Sequence, residues 1–491
     1  MTSRACSPRL HFIAAAVAVL FLISFAARSV SAWKYWGDLD HNSPGTWLCM
    51  ADDVRHGVLY RPPVSDLGYG GTRYMPLFPV IIAAGLATGL GIVQAGFVAG
   101  LLAAAVAASG LLALLRRLGV PMLLAISLAL MLPAATCART LVLGIKGDLL
   151  PVGLNLWGLA MAVAAAEKKN KAALPLAAVF FVLAVTAKIT SIFGVATAVI
   201  WLLAEKNTRQ AVLLGGLFLI ALVMAAIVIQ IASGGWALTI FRLCASGGGS
   251  AARLLKGPKL LILDALHQDK TICGLWGMAI LLIAGTQRWF SLPAILLILC
   301  TAGTVLIYGS PGTHLNHLVD MDAAALLVIA TLTLQKARLQ FVAVICTLAL
   351  VLMASAGCWR QMRELRQRNE RGQMMAVLAD AEASSIRGPI LSEDPLLPML
   401  YGQRPYMLDP FMFRAIRAGH PGFADRFGSD LDNKHFQAVV LRGPPDDPAY
   451  ESNEFDIGPG FIARLERTYL LTAHHGSFYV FMPEAREVGN R

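Results

Sequence analysis

Four aspartates crowd one polar stretch, WGDLDHNSPGTWLCMADDVRHGVLY at residues 36–60: Asp38, Asp40, Asp52 and Asp53. A carboxylate can act as a general base, taking the proton of a hydroxyl as it attacks an activated carbon. If the leaving group is a phosphate, a cation must stand nearby to meet its charge. Arg61, Arg73, Arg139, Lys146 and Lys188 are the side chains the sequence offers for that role. Asp38 and Asp40 directly follow the first apolar run, whereas Asp52 and Asp53 fall on an expected amphipathic helix, 46–57, lying on the bilayer as its wet face. Each residue also has a plainer reading. A loop aspartate serves as a solvated turn or a helix N-cap, and Lys188 at a membrane interface can snorkel.

Further candidates sit in short polar connectors. Asp148 in KGD (146–148) either orients a ligand hydroxyl or pairs with Lys146. His314, Asn316 and His317 in YGSPGTHLNHLVD (308–320) either hydrogen-bond a sugar or phosphate or cap the loop. Glu393, Asp394 and Asp409 read as structural turn residues.

The elements that must position these groups are membrane helices. Of 491 residues, 57% are hydrophobic and 14% charged, against an apolar share of about 45–50% in soluble domains. The +11 formal charge is dispersed in small clusters between apolar runs, with no basic stripe interleaved with aromatics, so nucleic acid is not an expected partner. The eight cysteines show no ligand spacing, and a Cys244 to Cys273 disulfide stays open. Residues 11–32 follow Arg4 and Arg9 and read as a retained signal-anchor with a cytoplasmic N-terminus, which puts the aspartate loop, 33–74, outside.

Further apolar runs occur near 75–93, 94–115, 121–138, 149–166, 172–187, 189–204, 211–232, 271–286, 290–308, 321–335 and 341–357, about 11 to 13 transmembrane helices in all. Basic connectors, Arg116-Arg117, EKKNK, EKNTR, QR and QKAR, belong in the cytoplasm. Two full crossings between Tyr74 and Arg116 would put the arginine pair outside, so 75–115 is expected to hold a re-entrant segment, one long tilted helix or a hidden third crossing. From residue 358 the composition turns polar, with β-like runs at 388–394, 436–442 and 476–483 and a helical stretch before them. The expected division is therefore a transmembrane domain, 1–357, and a small extracytoplasmic α/β domain, 358–491.

GYGGTRYMPLFPV (68–80), VTAKIT (185–190), KGD, GTHLNHLVD (312–320) and ILSEDPLLPMLYGQRPYMLDPFMF (390–413) occur in an order that resembles the GT-C superfamily. Its bacterial protein O-mannosyltransferases and lipid A aminoarabinose transferases are the nearest in pattern. The resemblance covers most of the chain, in short motifs. It implies a GT-C-like polytopic fold in a bacterial inner membrane. It also implies inverting transfer of a sugar from a polyprenyl-phosphate carrier to a lipid, glycan or protein acceptor outside the cytoplasm. The family's catalytic acid carries over onto Asp40, with Asp38 second, although DLD departs from the family's Asp-Glu form. Its interfacial lysine carries onto Lys188, and its lead-in to the second span onto Tyr74, Pro76 and Leu77, with Arg73 as a contact to carrier phosphate. DLD also spells a metal-binding Asp-x-Asp, but a donor with one phosphate need not bring a divalent ion, so no cofactor or metal is expected. A multispan transporter or lipid flippase is the rival reading; against it stand the few charges within spans and the lack of matching broken helices in two halves.

Overall fold

The computed structural model describes residues 8–36, 39, 42–134, 136–167, 172–246, 251–268, 270–310, 312–313, 315–333, 337–384, 386–448, 450–452 and 457–484. Asp38, Asp40 and His314 lie outside them. The chain opens with α1 (Pro8–Tyr35) and α2 (Asn42–Arg55), then a two-stranded antiparallel ribbon, β1 (Val64–Ser65) and β2 (Gly68–Tyr69). Apolar helices follow: α3 (Leu77–Ala87), α4 (Ile92–Arg117), α5 (Met122–Met131), α6 (Thr136–Leu143), α7 (Leu149–Ala166), α8 (Ala173–Ala187), α9 (Phe193–Ala204) and α10 (Thr208–Ala232). Two amphipathic helices, α11 (Trp236–Ser246) and α12 (Ala251–Gln268), lead to α13 (Lys270–Thr286), α14 (Leu292–Ile307), α15 (Val319–Thr333) and α16 (Ala337–Arg368).

Segments Ala15–Tyr35, Ile92–Arg117, Leu149–Ala166, Thr208–Ala232 and Leu315–Leu332 are long and apolar enough to cross a membrane, and shorter apolar helices surround them. The chain is a multi-pass α-helical membrane protein. The helix lengths bear on the expected irregularity in 75–115. With 11 residues, α3 rises about 16 Å, roughly half of a 30 Å hydrocarbon layer. Of the two, only α4, with 26 residues, is long enough by length and composition to cross alone.

At the centre lies α7, buried along most of its length between α4 and α8. Small residues permit that approach: a Cβ at Gly153 would come within 2.6 Å of the Ala107 backbone nitrogen. By contrast α10 buries only Ala211 and Leu214, and its exposed Leu219, Ile220, Val228 and Ile231 suit contact with lipid chains.

No linker separates the polar C-terminal region, because α16 runs unbroken through residue 357 to Arg368. Asn369 then adopts φ +42° and caps α17 (Glu370–Ala383), its side chain accepting from the Gly372 amide. A four-stranded sheet follows in the order β3 (Ile390–Ser392), β4 (Ala438–Arg442), β6 (Phe478–Pro483), β5 (Tyr469–His475). Strands β3 and β4 are parallel, joined through α18 (Leu396–Leu400), α19 (Pro410–Gly419) and α20 (Asp425–Asp432), while α21 (Phe461–Leu465) precedes the β5–β6 hairpin. Three strands match the expected runs; β5 is additional.

The 42–74 region is sewn onto this C-terminal region. Tyr69 donates its amide to the Tyr406 carbonyl at 2.6 Å, and its ring sits among Tyr406, Phe413 and Phe423. Thr46 Oγ1 donates to the Leu408 carbonyl, and Arg61 Nη1 to the Pro405 carbonyl at 2.8 Å. Both regions therefore stand on the same face of the helical body. Asp53 corrects the expectation of a wet helix face: it is buried on α2 and grips Arg61 through two hydrogen bonds of 2.5 and 2.9 Å. Glycine-free α2 residues Trp47 to Ala51 are buried too, so α2 is a packed element. Cys244 and Cys273 form no disulfide.

Candidate active site

Three chain breaks between helices meet at one point. Asp148 precedes α7, Lys188 follows α8 in extended conformation, and Asn316 lies in a single 3-10 turn, Leu315–Leu318, before α15. Lys188 Nζ donates to Asp148 Oδ1 at 2.6 Å, and Asn316 Nδ2 donates to the same oxygen at 3.0 Å. The lysine and aspartate side chains retain only 15% and 11% of their exposure. Burial pushes the Asp148 carboxyl up, but Lys188, the nearby His317 and the two hydrogen bonds outweigh it and hold the group below the ordinary carboxylate range. The Asp148 to Lys146 pair, one of the two readings of the sequence, is not formed; Lys188 takes that place. Among the described residues the half-buried Lys146 ammonium makes no hydrogen bond or ion pair.

Lys188 carries three donor hydrogens. Among the described residues its ammonium commits one of them, to Asp148. Two remain to meet an incoming oxyanion.

A second cluster stands beside the first. Arg73 places its guanidinium carbon 4.1 Å from the Phe411 ring centroid and 5.9 Å from that of Tyr74, and Nη2 reaches the Gly312 carbonyl at 3.4 Å. Phe411 comes from α19, so this arginine joins the lead-in to α3, the loop before α15 and the C-terminal region. Asp409 faces it: Oδ2 accepts from Thr72 Oγ1 at 3.3 Å and Oδ1 from the Met412 amide at 3.1 Å. Burial pushes the Asp409 carboxyl up, against the pull of Arg73 and these hydrogen bonds. Between the clusters stands Tyr74, stacked on Trp47 with centroids 4.1 Å apart. Burial pushes its phenol up to about 12, with Arg73 opposing and Asp409 and Asp148 both close enough to add to the rise.

The other cations named from sequence are committed elsewhere. Arg61 is bound to Asp53. Arg139 is buried on α6, donating to the Ala354 carbonyl and to Cys358 Sγ at 3.2 Å. Of the first-loop pair, Asp38 and Asp40, the structure describes only the residue between them: Leu39 is buried, and its carbonyl accepts from Arg442 Nη1 at 3.0 Å.

No protein-family model matches the chain, and no curated protein sequence does. Solved structures do. ArnT from Cupriavidus metallidurans bound to undecaprenyl phosphate aligns with a TM-score of 0.59 at 13% identity, over 96% of this chain and 99% of that one. The Archaeoglobus fulgidus oligosaccharyltransferase in its apo form aligns at 0.52 and 10% identity, over 95% of this chain and 75% of that one. Arabinofuranosyltransferase AftD from Mycobacteria aligns at 0.52 and 15% identity, over 99% of this chain and 42% of that one. The fold is GT-C.

Within this GT-C fold, sequence reasoning missed two groups at the clusters. Asp320 is buried on the first turn of α15, one turn beyond Asn316, and lies within charge range of Lys188 and Asp148. An acid there reads as a helix-dipole partner, so its type gave no separate signal. Phe411 was not singled out, because an aromatic after Asp-Pro looks like core.

Proposed function

We propose that the protein is a membrane glycosyltransferase that moves a sugar from a polyprenyl-phosphate carrier to a lipid, glycan or protein acceptor on the extracytoplasmic face. The observation that carries this reading is the two-sided, full-length alignment with a GT-C enzyme crystallised with undecaprenyl phosphate. The Lys188 ammonium, held in place by Asp148 yet with donors to spare, supports a phosphate contact where the turns before α7, after α8 and before α15 meet. Arg73 is the second cation for the carrier, on the side of the C-terminal region.

In this reading Asp40 removes the proton of the acceptor hydroxyl as its oxygen bonds to the anomeric carbon from the face opposite the carrier. The bond from that carbon to the phosphate oxygen breaks, its electron pair stays on the phosphate, and configuration inverts. Lys188 and Arg73 meet the added negative charge. Asn316 fixes Asp148, and Asp148 fixes Lys188, so the ammonium is aimed before the donor arrives. Asp38 is the alternative base. The basic connectors and α4, the one helix of its pair long enough to cross alone, support an extracytoplasmic position for the 33–74 loop and the C-terminal region.

The deciding experiment supplies purified protein with polyprenyl-phosphate sugars and measures transfer or donor consumption for wild type, Asp40→Asn, Asp38→Asn and the double variant. Loss of at least about 100-fold in Asp40→Asn is expected for a lost general base. Full activity in the double variant would remove Asp38 and Asp40 from the mechanism.

A further inference from the structure

Asn155 is a buried amide on α7, 4% exposed, inside a segment long and apolar enough to cross a membrane. An amide at that depth is costly unless its hydrogen bonds are made. Its Nδ2 donates to Ser191 Oγ at 3.0 Å and to the Ser191 carbonyl at 3.3 Å, and Ser191 is itself 2% exposed. A carbonyl only accepts, so the NH2 end of the amide has to face Ser191. The other end, Oδ1, has no hydrogen-bond partner among the described residues and lies against Gly194, where a Cβ would collide with it. The α9 backbone can close over the amide because residue 194 carries no side chain.

Ser191 belongs to the break between α8 and α9, which also carries Lys188. Its amide donates to the Lys188 carbonyl at 2.9 Å, and the Lys188 amide donates to the Ala184 carbonyl at 2.9 Å. The backbone under Lys188 is therefore pinned by α8 on one side and, through Ser191, by α7 on the other. Asn155 stands about two turns after Asp148, on the same face of α7. One helix face thus grips the lysine twice: Asp148 holds its ammonium, and Asn155 holds the turn from which the side chain springs. The ion pair does not require that second grip. Leaving Oδ1 buried without a partner carries a cost that an apolar side chain of similar size would avoid.

We propose that Asn155 is a positioning residue for Lys188, acting through the Ser191 turn, so that the ammonium stands at a fixed place when charge grows on the leaving phosphate. This rests on the glycosyltransferase reading above. A cation aimed at charge that appears in the transition state acts on kcat more than on donor affinity.

The test measures transfer from a polyprenyl-phosphate sugar, and hydrogen exchange of the amides at 188–192, in purified full-length wild type, Asn155→Leu, Ser191→Ala and Thr197→Val. Asn155→Leu keeps the volume and gives up both bonds, so exchange at 188–192 should rise about tenfold. Its kcat should fall about 10- to 100-fold, the scale of a misplacement near 1 Å, with donor KM within about twofold of wild type. Ser191→Ala gives up one bond of the two and should lie between Asn155→Leu and wild type in both readouts; it carries the test if Asn155→Leu does not fold. Thr197 is buried on α9, and its hydroxyl has no hydrogen-bond partner among the described residues, so Thr197→Val should match wild type. The strictest comparison is with Lys188→Met. Because Asn155 acts through the lysine, adding Asn155→Leu to Lys188→Met should lower transfer no further. A further loss in that double variant, an equal loss of kcat in Thr197→Val, or unchanged exchange at 188–192 would each overturn the proposal. If wild type transfers nothing, the glycosyltransferase reading fails instead, and exchange alone decides whether Asn155 holds the Lys188 turn.

Discussion

Lys188 and Arg442 are both nearly buried cations that tie distant parts of the chain together, yet they are used in opposite ways. Lys188 is a point charge with one bond among the described residues, to an aspartate held below its ordinary range. Arg442 spends both ends of its fork on two carboxylates and a carbonyl. Around it, burial pushes the Asp394 and Glu393 carboxyls up, against the pull of Arg442 and their hydrogen bonds. A planar arginine shared between two carboxylates and a carbonyl is suited to hold a structure, whereas a lysine paired with a single carboxylate is suited to receive a ligand. The same ion-pair chemistry therefore yields a joint in one region and a candidate site in the other, and the number of carboxylates paired with each cation among the described residues, two for Arg442 and one for Lys188, makes the difference.

The largest effect should come from Lys188→Met. It removes the cation offered to the leaving group, for an expected loss of transfer of roughly 100- to 1,000-fold. It also strands a buried carboxylate, costing about 3–5 kcal/mol in unfolding measurements. Adding Asp148→Asn should recover most of the stability and none of the activity; recovered transfer would make Lys188 a joint like Arg442. Next comes Arg61→Met, which leaves Asp53 buried without its partner and should cost a similar 3–5 kcal/mol, with the donor KM of the folded fraction unchanged. A rise in KM there would blur the division between joint and site.

Arg73→Lys should have a smaller effect, about tenfold in donor KM, because it trades a planar cation on Phe411 for a compact one. Smallest is the acid response. The Asp148 carboxyl is lower in the folded chain than when unfolded. Its contribution is therefore present above the ordinary carboxylate value and fades as pH falls through its lowered one. The difference in melting temperature between wild type and Asp148→Asn should close only in that acid range. Asp394 has the opposite sign: its raised carboxyl takes up a proton on folding at mildly acidic pH, so ionised Asp394 disfavours folding at neutral pH relative to its protonated form. Wild type should accordingly gain melting temperature relative to Asp394→Asn as pH falls through the raised value, whereas it loses melting temperature relative to Asp148→Asn in the acid range.

Much of the architecture was legible because apolar runs of membrane length, basic connectors and a polar tail follow from local composition. Strand β5 was not: Leu470, Leu471 and Thr472 are all exposed and a register shift follows Leu471, so the strand lacks the alternation that marks a half-buried edge. Asp148 was singled out, with a pair to its neighbour Lys146 as one of two readings. Chain proximity suggested that pair, while the turns after α8 and before α15 deliver Lys188 and Asn316 instead. Asp53 was assigned to water because an acid on an amphipathic helix belongs there by default, and only the Arg61 pair explains its burial. Arg442 carried no signal, being one basic residue at the end of an apolar strand.

The sequence alone determined that this chain threads a membrane many times, that a polar region follows the apolar runs, and that Lys188 is an unusual charge. Those properties depend on transfer of each segment between water and lipid, which composition sets. Which cation meets which carboxylate was decided by tertiary structure. An ion pair forms between groups that packing brings within about 3 Å, and for Asp148 and Lys188 or Asp394 and Arg442 that proximity comes from elements far apart in the chain.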